Sequence, residues 1–167
     1  MPLLGLFFCR VDLTDQFPLT IPVTVEKVYD GDTLLVKKGS YSWKVRLSLI
    51  DSPEKGQRFL NSTIDAGKVS SDCLNEVMEE RNQVLKVKAF DMYGRILGDV
   101  GKLNFELIEK GCTTLYPFAR FDSIAEKFLY LKALKKAKAL KQGLWQYGGF
   151  LQPKLYRKIS KRYGHRQ

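Results

Sequence analysis

The chain has 167 residues, 44% hydrophobic and 28% charged, enough for a single domain with its own core and too apolar for global disorder. Lys and Arg number 28 against 18 Asp and Glu, a formal charge of +10 that favours anionic partners, nucleic acid before an acidic membrane surface. No apolar run approaches the roughly 18–20 residues of a membrane helix, so an integral membrane segment is not expected.

Residues 1–21 read as an N-terminal arm. Met1–Cys9 (MPLLGLFFC) is apolar, yet it lacks a basic start and its apolar stretch is short for a standard signal peptide. Two compartments stay open: intracellular as the sequence is written, or secreted or envelope-anchored if this segment is the remnant of a longer signal. Val23–Tyr29 is rich in β-branched residues and is expected as a strand. Asp30-Gly31 signals a hairpin turn, and Thr33–Lys38 a second strand. Across Ser42–Ile50, Trp43, Val45, Leu47 and Leu49 alternate with Ser42, Lys44, Arg46 and Ser48, the pattern of a strand with one buried face.

Asp65–Arg81 is expected as a helix, with Val69, Cys73, Leu74, Val77 and Met78 at helical spacing. Val84–Phe90 and Arg95–Val100 read as strands around a Tyr93-Gly94 turn. Leu103–Lys110 reads as a short helix closed by Gly111, and Ser123–Lys141 as a lysine-rich helix stopped by Gly143, with Trp145 in the core beyond it. The fold class that follows is α+β, a small domain whose five short strands manage their edges best as a closed barrel.

In the tail, residues 148–167, Leu151, Leu155, Ile159 and Tyr163 recur every four residues, and Pro153 suits a first helical turn. Lys154, Arg157, Lys158, Lys161 and Arg162 occupy other faces, which makes a basic amphipathic helix. Packing on the barrel, contact with nucleic acid, and a membrane or protein partner all fit that pattern. Cys9, Cys73 and Cys112 are odd in number and widely spaced, and His165 is the sole histidine. A zinc site or a His-based triad is therefore disfavoured, and so is a disulfide; the expectation is two buried thiols and one near the N-terminus.

Three carboxylates, Asp32, Asp51 and Glu54, fall at or near the ends of neighbouring expected strands, with Arg46 on the polar face between them. Like charges held close repel unless a cation offsets them. Carboxylates are ligands of hard cations, and arginine forks complement phosphate. Together these are the components of phosphodiester hydrolysis. Arg46 and Asp51 lie an odd number of positions apart, so a regular strand would send them to opposite faces. A shared site requires the strand to end, bend or bulge between Ser48 and Asp51.

Val28-Tyr29-Asp30-Gly31-Asp32-Thr33-Leu34 and Val45-Arg46-Leu47-Ser48-Leu49-Ile50-Asp51-Ser52-Pro53-Glu54 resemble the paired motifs of the staphylococcal nuclease family. The resemblance continues through Asp91-Met92-Tyr93-Gly94-Arg95, Leu103-Asn104, Leu107–Gly111 and Gly143-Leu144-Trp145, in order, over residues 22–147. It implies a five-stranded OB-fold barrel with about three helices, to which this chain adds the C-terminal basic helix. It also implies hydrolysis of DNA and RNA without sugar specificity, with Ca²⁺ or alternatively Mg²⁺, leaving 3′-phosphate ends.

By that resemblance Asp32 and Asp51 ligate the ion by side chain and Ser52 by its carbonyl. Glu54 positions the attacking water, Arg46 and Arg95 hold the scissile phosphate, and Tyr93 and Tyr116 contact the nucleotide. The expected partner is DNA and/or RNA, and the expected state a monomer. Ser52 stands where the family often has threonine, Met92 where a lysine can occur, and residues 55–64 match no family loop. The competing reading is a non-catalytic OB module that binds single strands by charge and stacking.

Overall fold

The computed structural model describes residues 18–163; Met1–Cys9 and His165, with the expectations that rest on them, lie outside the described residues. The alternating segments become the staves of a barrel. β1 (Leu19–Asp30), β2 (Thr33–Lys38) and β3 (Tyr41–Leu47) form an antiparallel meander. A two-residue strand β4 (Ile50–Asp51) follows, then helix α1 (Ala66–Val77) and the hairpin β5 (Asn82–Phe90) and β6 (Ile96–Val100). Next come α2 (Leu103–Glu109), a second two-residue strand β7 (Thr114–Leu115), α3 (Ile124–Ala139), a 3-10 turn over Gly143–Tyr147, and α4 (Pro153–Tyr163).

The barrel closes in the order β1-β2-β3-β6-β5, with β5 returning to β1. Every pairing is antiparallel except β3 with β6, where Val45, Arg46 and Leu47 run parallel to Ile96, Leu97 and Gly98. This is a closed mixed barrel of the α+β class, as expected of an OB fold. Inside it Val25, Leu34, Val36, Val45, Leu47, Leu85 and Val100 are fully buried, and Leu74 of α1 with Leu107 and Ile108 of α2 belongs to the same core. A smaller cluster of Phe59, Ala66 and Leu144 packs with Val69 and Phe150.

Several boundaries differ from the sequence reading, each for a physical reason. β1 begins at Leu19, not Val23, because residues 19–24 are paired with β5. β2 takes up pairing only from Thr24, so at Pro22 that side of the strand is an edge, where a missing N–H is tolerated. Register shifts between Val25 and Lys27 and between Val28 and Asp30 curve this long strand round the barrel. The third strand stops at Leu47 rather than Ile50. Trp145 is half-buried, with the Lys138 ammonium 4.5 Å from its ring centroid, and the fully buried side chain there is Leu144.

The expectation of two buried thiols is overturned. Cys73 of α1 and Cys112, just beyond α2, form a disulfide with Cα atoms 5.5 Å apart. The Ser70 hydroxyl donates to the Cys112 carbonyl at 2.7 Å, one turn earlier on the same helix. Packing of α1 against α2 brings together residues 39 apart in the chain, a proximity that no local spacing encodes.

Candidate active site

The turn between β1 and β2 presents the first carboxylate. Asp30 Oδ1 accepts the Asp32 N–H at 3.0 Å, an Asx turn that shapes the hairpin end. The buried Asp32 carboxylate accepts the Thr33 hydroxyl at 3.2 Å and the Ser52 N–H at 2.5 Å. The second bond fastens the Asp-Ser-Pro segment to the turn. A side chain on Gly31 would collide with Ser70 of α1 and with Ser52, so only glycine lets helix and turn close on each other here.

The second carboxylate arrives through a break in the chain. β3 ends at Leu47, Ile50 N–H bonds back to the Ser48 carbonyl at 2.8 Å, and Leu49 has a φ of 65°. Positive φ is costly for a leucine, and its side chain stays buried in the core. The Ser48 carbonyl also accepts from the buried Asn104 amide of α2 at 2.9 Å. The chain then resumes as β4, with Ile50 opposite Leu115 and Asp51 opposite Thr114 of β7. The reversal brings Asp51 onto the side of Arg46, as a shared site requires.

Arg46 joins the two carboxylates. Its Nη2 lies 2.9 Å from Asp51 Oδ1 and 3.2 Å from Asp32 Oδ2, and its Nη1 donates to the Leu47 carbonyl at 2.9 Å. Asp51 is completely buried. Burial raises its carboxyl above the ordinary carboxylate range and the Asp32 charge adds to this, while Arg157 and Arg46 pull it down.

Glu54 is placed by backbone packing. Its carbonyl approaches Gly67 in the first turn of α1 so closely that a side chain there would displace it. Its N–H donates to the Gln57 Oε1 at 3.1 Å.

Arg157, a residue that sequence reasoning placed only among the basic residues of the tail, enters this cluster from α4. Its Nη1 donates to Glu54 Oε1 at 2.6 Å, and its Nη2 lies 3.1 and 3.0 Å from the two oxygens of Asp51. Burial works against the guanidinium charge, but the hydrogen bonds it donates to Asp51 and Glu54 outweigh it and raise the pKa of Arg157. The charged set is therefore not confined to the part of the chain upstream of the tail. α4 is also turned differently from its pattern. Pro153, Tyr156 and Arg157 face the protein, while Leu155, Ile159 and Tyr163 of the four-residue apolar repeat are exposed. The one available signal was that Arg157 follows Pro153 by one helical turn.

Arg95 makes its contacts within its own hairpin. Its Nε donates to Asp91 at 2.7 Å, and the Asp91 carboxylate also accepts the Tyr93 and Arg95 N–H groups, which closes the β5–β6 hairpin. These bonds hold the Asp91 carboxyl below its usual range despite some burial. Tyr93 is exposed beside the Arg95 guanidinium, 5.7 Å from ring centroid to Cζ. Tyr116 follows β7, half-buried, its N–H on the Leu49 carbonyl at 2.8 Å and its ring edge-on to Phe118 at 5.8 Å.

Among the described residues no three His, Cys, Asp or Glu side chains are gathered as a ready metal cluster. Two do converge: Asp32 Oδ2 and Asp51 Oδ1 share the single nitrogen of Arg46. Two carboxylates held this close together are hard oxygen donors that fit a divalent ion whose remaining ligands are carbonyl, water or phosphate oxygens.

A buried carboxylate pair held by two arginines thus lies beside the β1–β2 turn of a closed five-stranded barrel. Residues 44–147 match the family model described as staphylococcal nuclease homologue. Over 142 residues the chain is 34% identical to a protein of Haemophilus influenzae named as an uncharacterized endonuclease, covering 82% of this chain and 73% of that one. It is 29% identical over 139 residues to an Escherichia coli protein of the same description, covering 80% and 82%. A protein of Shigella flexneri named micrococcal nuclease is 27% identical over 150 residues, covering 82% and 80%. The chain belongs to the staphylococcal nuclease family.

Proposed function

We propose that the protein is a metal-dependent nuclease that hydrolyses phosphodiester bonds of DNA and RNA without sugar specificity, leaving 3′-phosphate ends. The observation that carries the reading is the convergence of Asp32 and Asp51 on one cationic nitrogen, with Glu54 tied to the same cluster through Arg157. A pure binding groove has no need of buried carboxylates, which repel the phosphates it must attract. The family and the nuclease names of the relatives support the same reading.

Asp32 and Asp51 would hold Ca²⁺, or Mg²⁺, by side chain and Ser52 by its carbonyl. Such an ion supplies Lewis acidity at a phosphoryl oxygen. Glu54, the most exposed of the three carboxylates, positions a water molecule. Arg46, at the centre of the cluster, would offer the phosphate the N–H groups not directed at Asp32, Asp51 and the Leu47 carbonyl and stabilise the charge that grows there. Arg95 takes part only by exchanging Asp91 for phosphate. Tyr93 and Tyr116 offer ring faces to the nucleotide bases.

The deciding experiment is cleavage of end-labelled single- and double-stranded DNA and RNA with Ca²⁺, with Mg²⁺ and with chelator, followed by end-group analysis. Cleavage that needs the ion, leaves 3′-phosphates and is lost in Asp32→Asn is the expected result. Strand binding without cleavage under every condition would overturn the reading in favour of a binding module.

A further inference from the structure

The C-terminal helix is a built part of the cluster. Its approach is fixed by the buried Gln57, whose Nε2 donates to the Leu151 carbonyl at 2.6 Å, and by the Leu60 N–H on the Gly149 carbonyl at 2.8 Å. Phe150 packs edge-on against Phe59 at 6.0 Å, and Pro153 is buried. From that anchored start α4 sends one guanidinium onto Asp51 and Glu54. Both oxygens of Asp51 are taken, and one is shared with Arg46.

We propose that Arg157 is a resident counter-cation: it competes with a divalent ion for Asp51 and Glu54 and must withdraw before such an ion can use Asp51. The inference rests on the reading that these carboxylates take such an ion. Arg157 Nη2 sits astride both Asp51 oxygens, one of which Arg46 shares, so an ion that is to take both oxygens meets the guanidinium first. An entering ion therefore displaces at least one charge-assisted contact. Arg46 is the less displaceable of the two, since it lies deeper, bridges both carboxylates and is pinned to the Leu47 carbonyl. Arg157 is more exposed, and among the described residues its helix is otherwise anchored at its first turn. Thermodynamic linkage makes the competition reciprocal: an arginine that weakens ion binding is itself released by the ion.

The test is calorimetric titration of Ca²⁺, without substrate, into the full chain and into Arg157→Ala, Arg157→Gln, Arg157→Lys and the exposed-face control Lys161→Ala, each checked for folding by circular dichroism. Arg157→Ala and Arg157→Gln should bind the ion about tenfold more tightly or better, Arg157→Lys should fall between, and Lys161→Ala should match the parent. In the parent chain Ca²⁺ should also speed trypsin cleavage after Lys154 and Lys158, and this effect should vanish in Arg157→Ala. Folded Arg157→Ala and Arg157→Gln proteins with unchanged or weaker ion affinity would overturn this inference alone. Absence of ion binding in every protein would overturn the metal reading and this inference with it.

Discussion

Asp30 tests the electrostatics of the turn most directly. Its half-buried carboxylate sits two residues from Asp32, and its Oδ1 accepts the Asp32 N–H at 3.0 Å. Burial first, and then the Asp32 charge, push its pKa from 3.8 up to about 6. The folded chain thus holds a proton that the unfolded chain releases earlier. The stabilising contribution is fully present below about pH 4 and is lost as pH rises through about 6. Roughly two pKa units correspond to about 3 kcal/mol. Asparagine keeps the carbonyl that accepts the Asp32 N–H and removes the charge. In chelator, Asp30→Asn should therefore be more stable than the parent by about 2–3 kcal/mol at pH 8, or about 4–12 °C in Tm for a chain of this size. At about pH 3.5 the two proteins should melt together. Thermal melts across pH would measure this. A variant that is less stable at pH 8, or a gain that does not change with pH, would refute the reasoning.

Arg46→Lys keeps the charge but loses the fork that sets one nitrogen on Asp32 and Asp51 and the other on the Leu47 carbonyl, so kcat on a short oligonucleotide should fall about 10²-fold or more while the melting curve shifts little. Cys73→Ser opens a covalent loop whose ends are 39 residues apart. Chain entropy puts that loss at up to about 4 kcal/mol, to be read as a lower urea midpoint that reductant reproduces in the parent and leaves unchanged in the variant. Gly31→Ala drives a methyl group into Ser70 and Ser52, so it should cost about 1–3 kcal/mol by denaturant titration and impair ion binding through the same displacement of the turn.

The strands of the barrel were legible because each buries one face, and a period of two survives in Trp43, Val45 and Leu47 whatever their partners are. Turn chemistry at Asp30-Gly31 placed the hairpin. The requirement that the chain break between Ser48 and Asp51 followed from parity alone, and the positive φ of Leu49 meets it. What the sequence concealed is tertiary. Two-residue strands such as β4 and β7 carry no period. The pairing of Cys73 with Cys112 depends on how two helices pack. Arg157 reaches Asp51 across 106 positions, and nothing in a run of basic residues distinguishes the one that points inward. Asp32, Arg46 and Asp51 are in contact, whereas Arg95 pairs with Asp91, a carboxylate four residues away that organises the hairpin.

The disulfide bears on how the chain assembles. The loop it closes contains β5, β6 and α2 entire, while the β1–β3 meander lies wholly before it. Hairpins form early because their contacts are local, but the parallel pairing of β3 with β6 joins segments far apart in sequence and must wait for a long loop to close. With the thiols joined, α1 is tethered to the residue that follows α2, so the search that brings β6 alongside β3 begins within a shorter effective loop. With the thiols reduced, the same seam must form by unassisted chain diffusion. The redox state met by the emerging chain would therefore act on the rate at which the barrel shuts as well as on the stability of the finished fold.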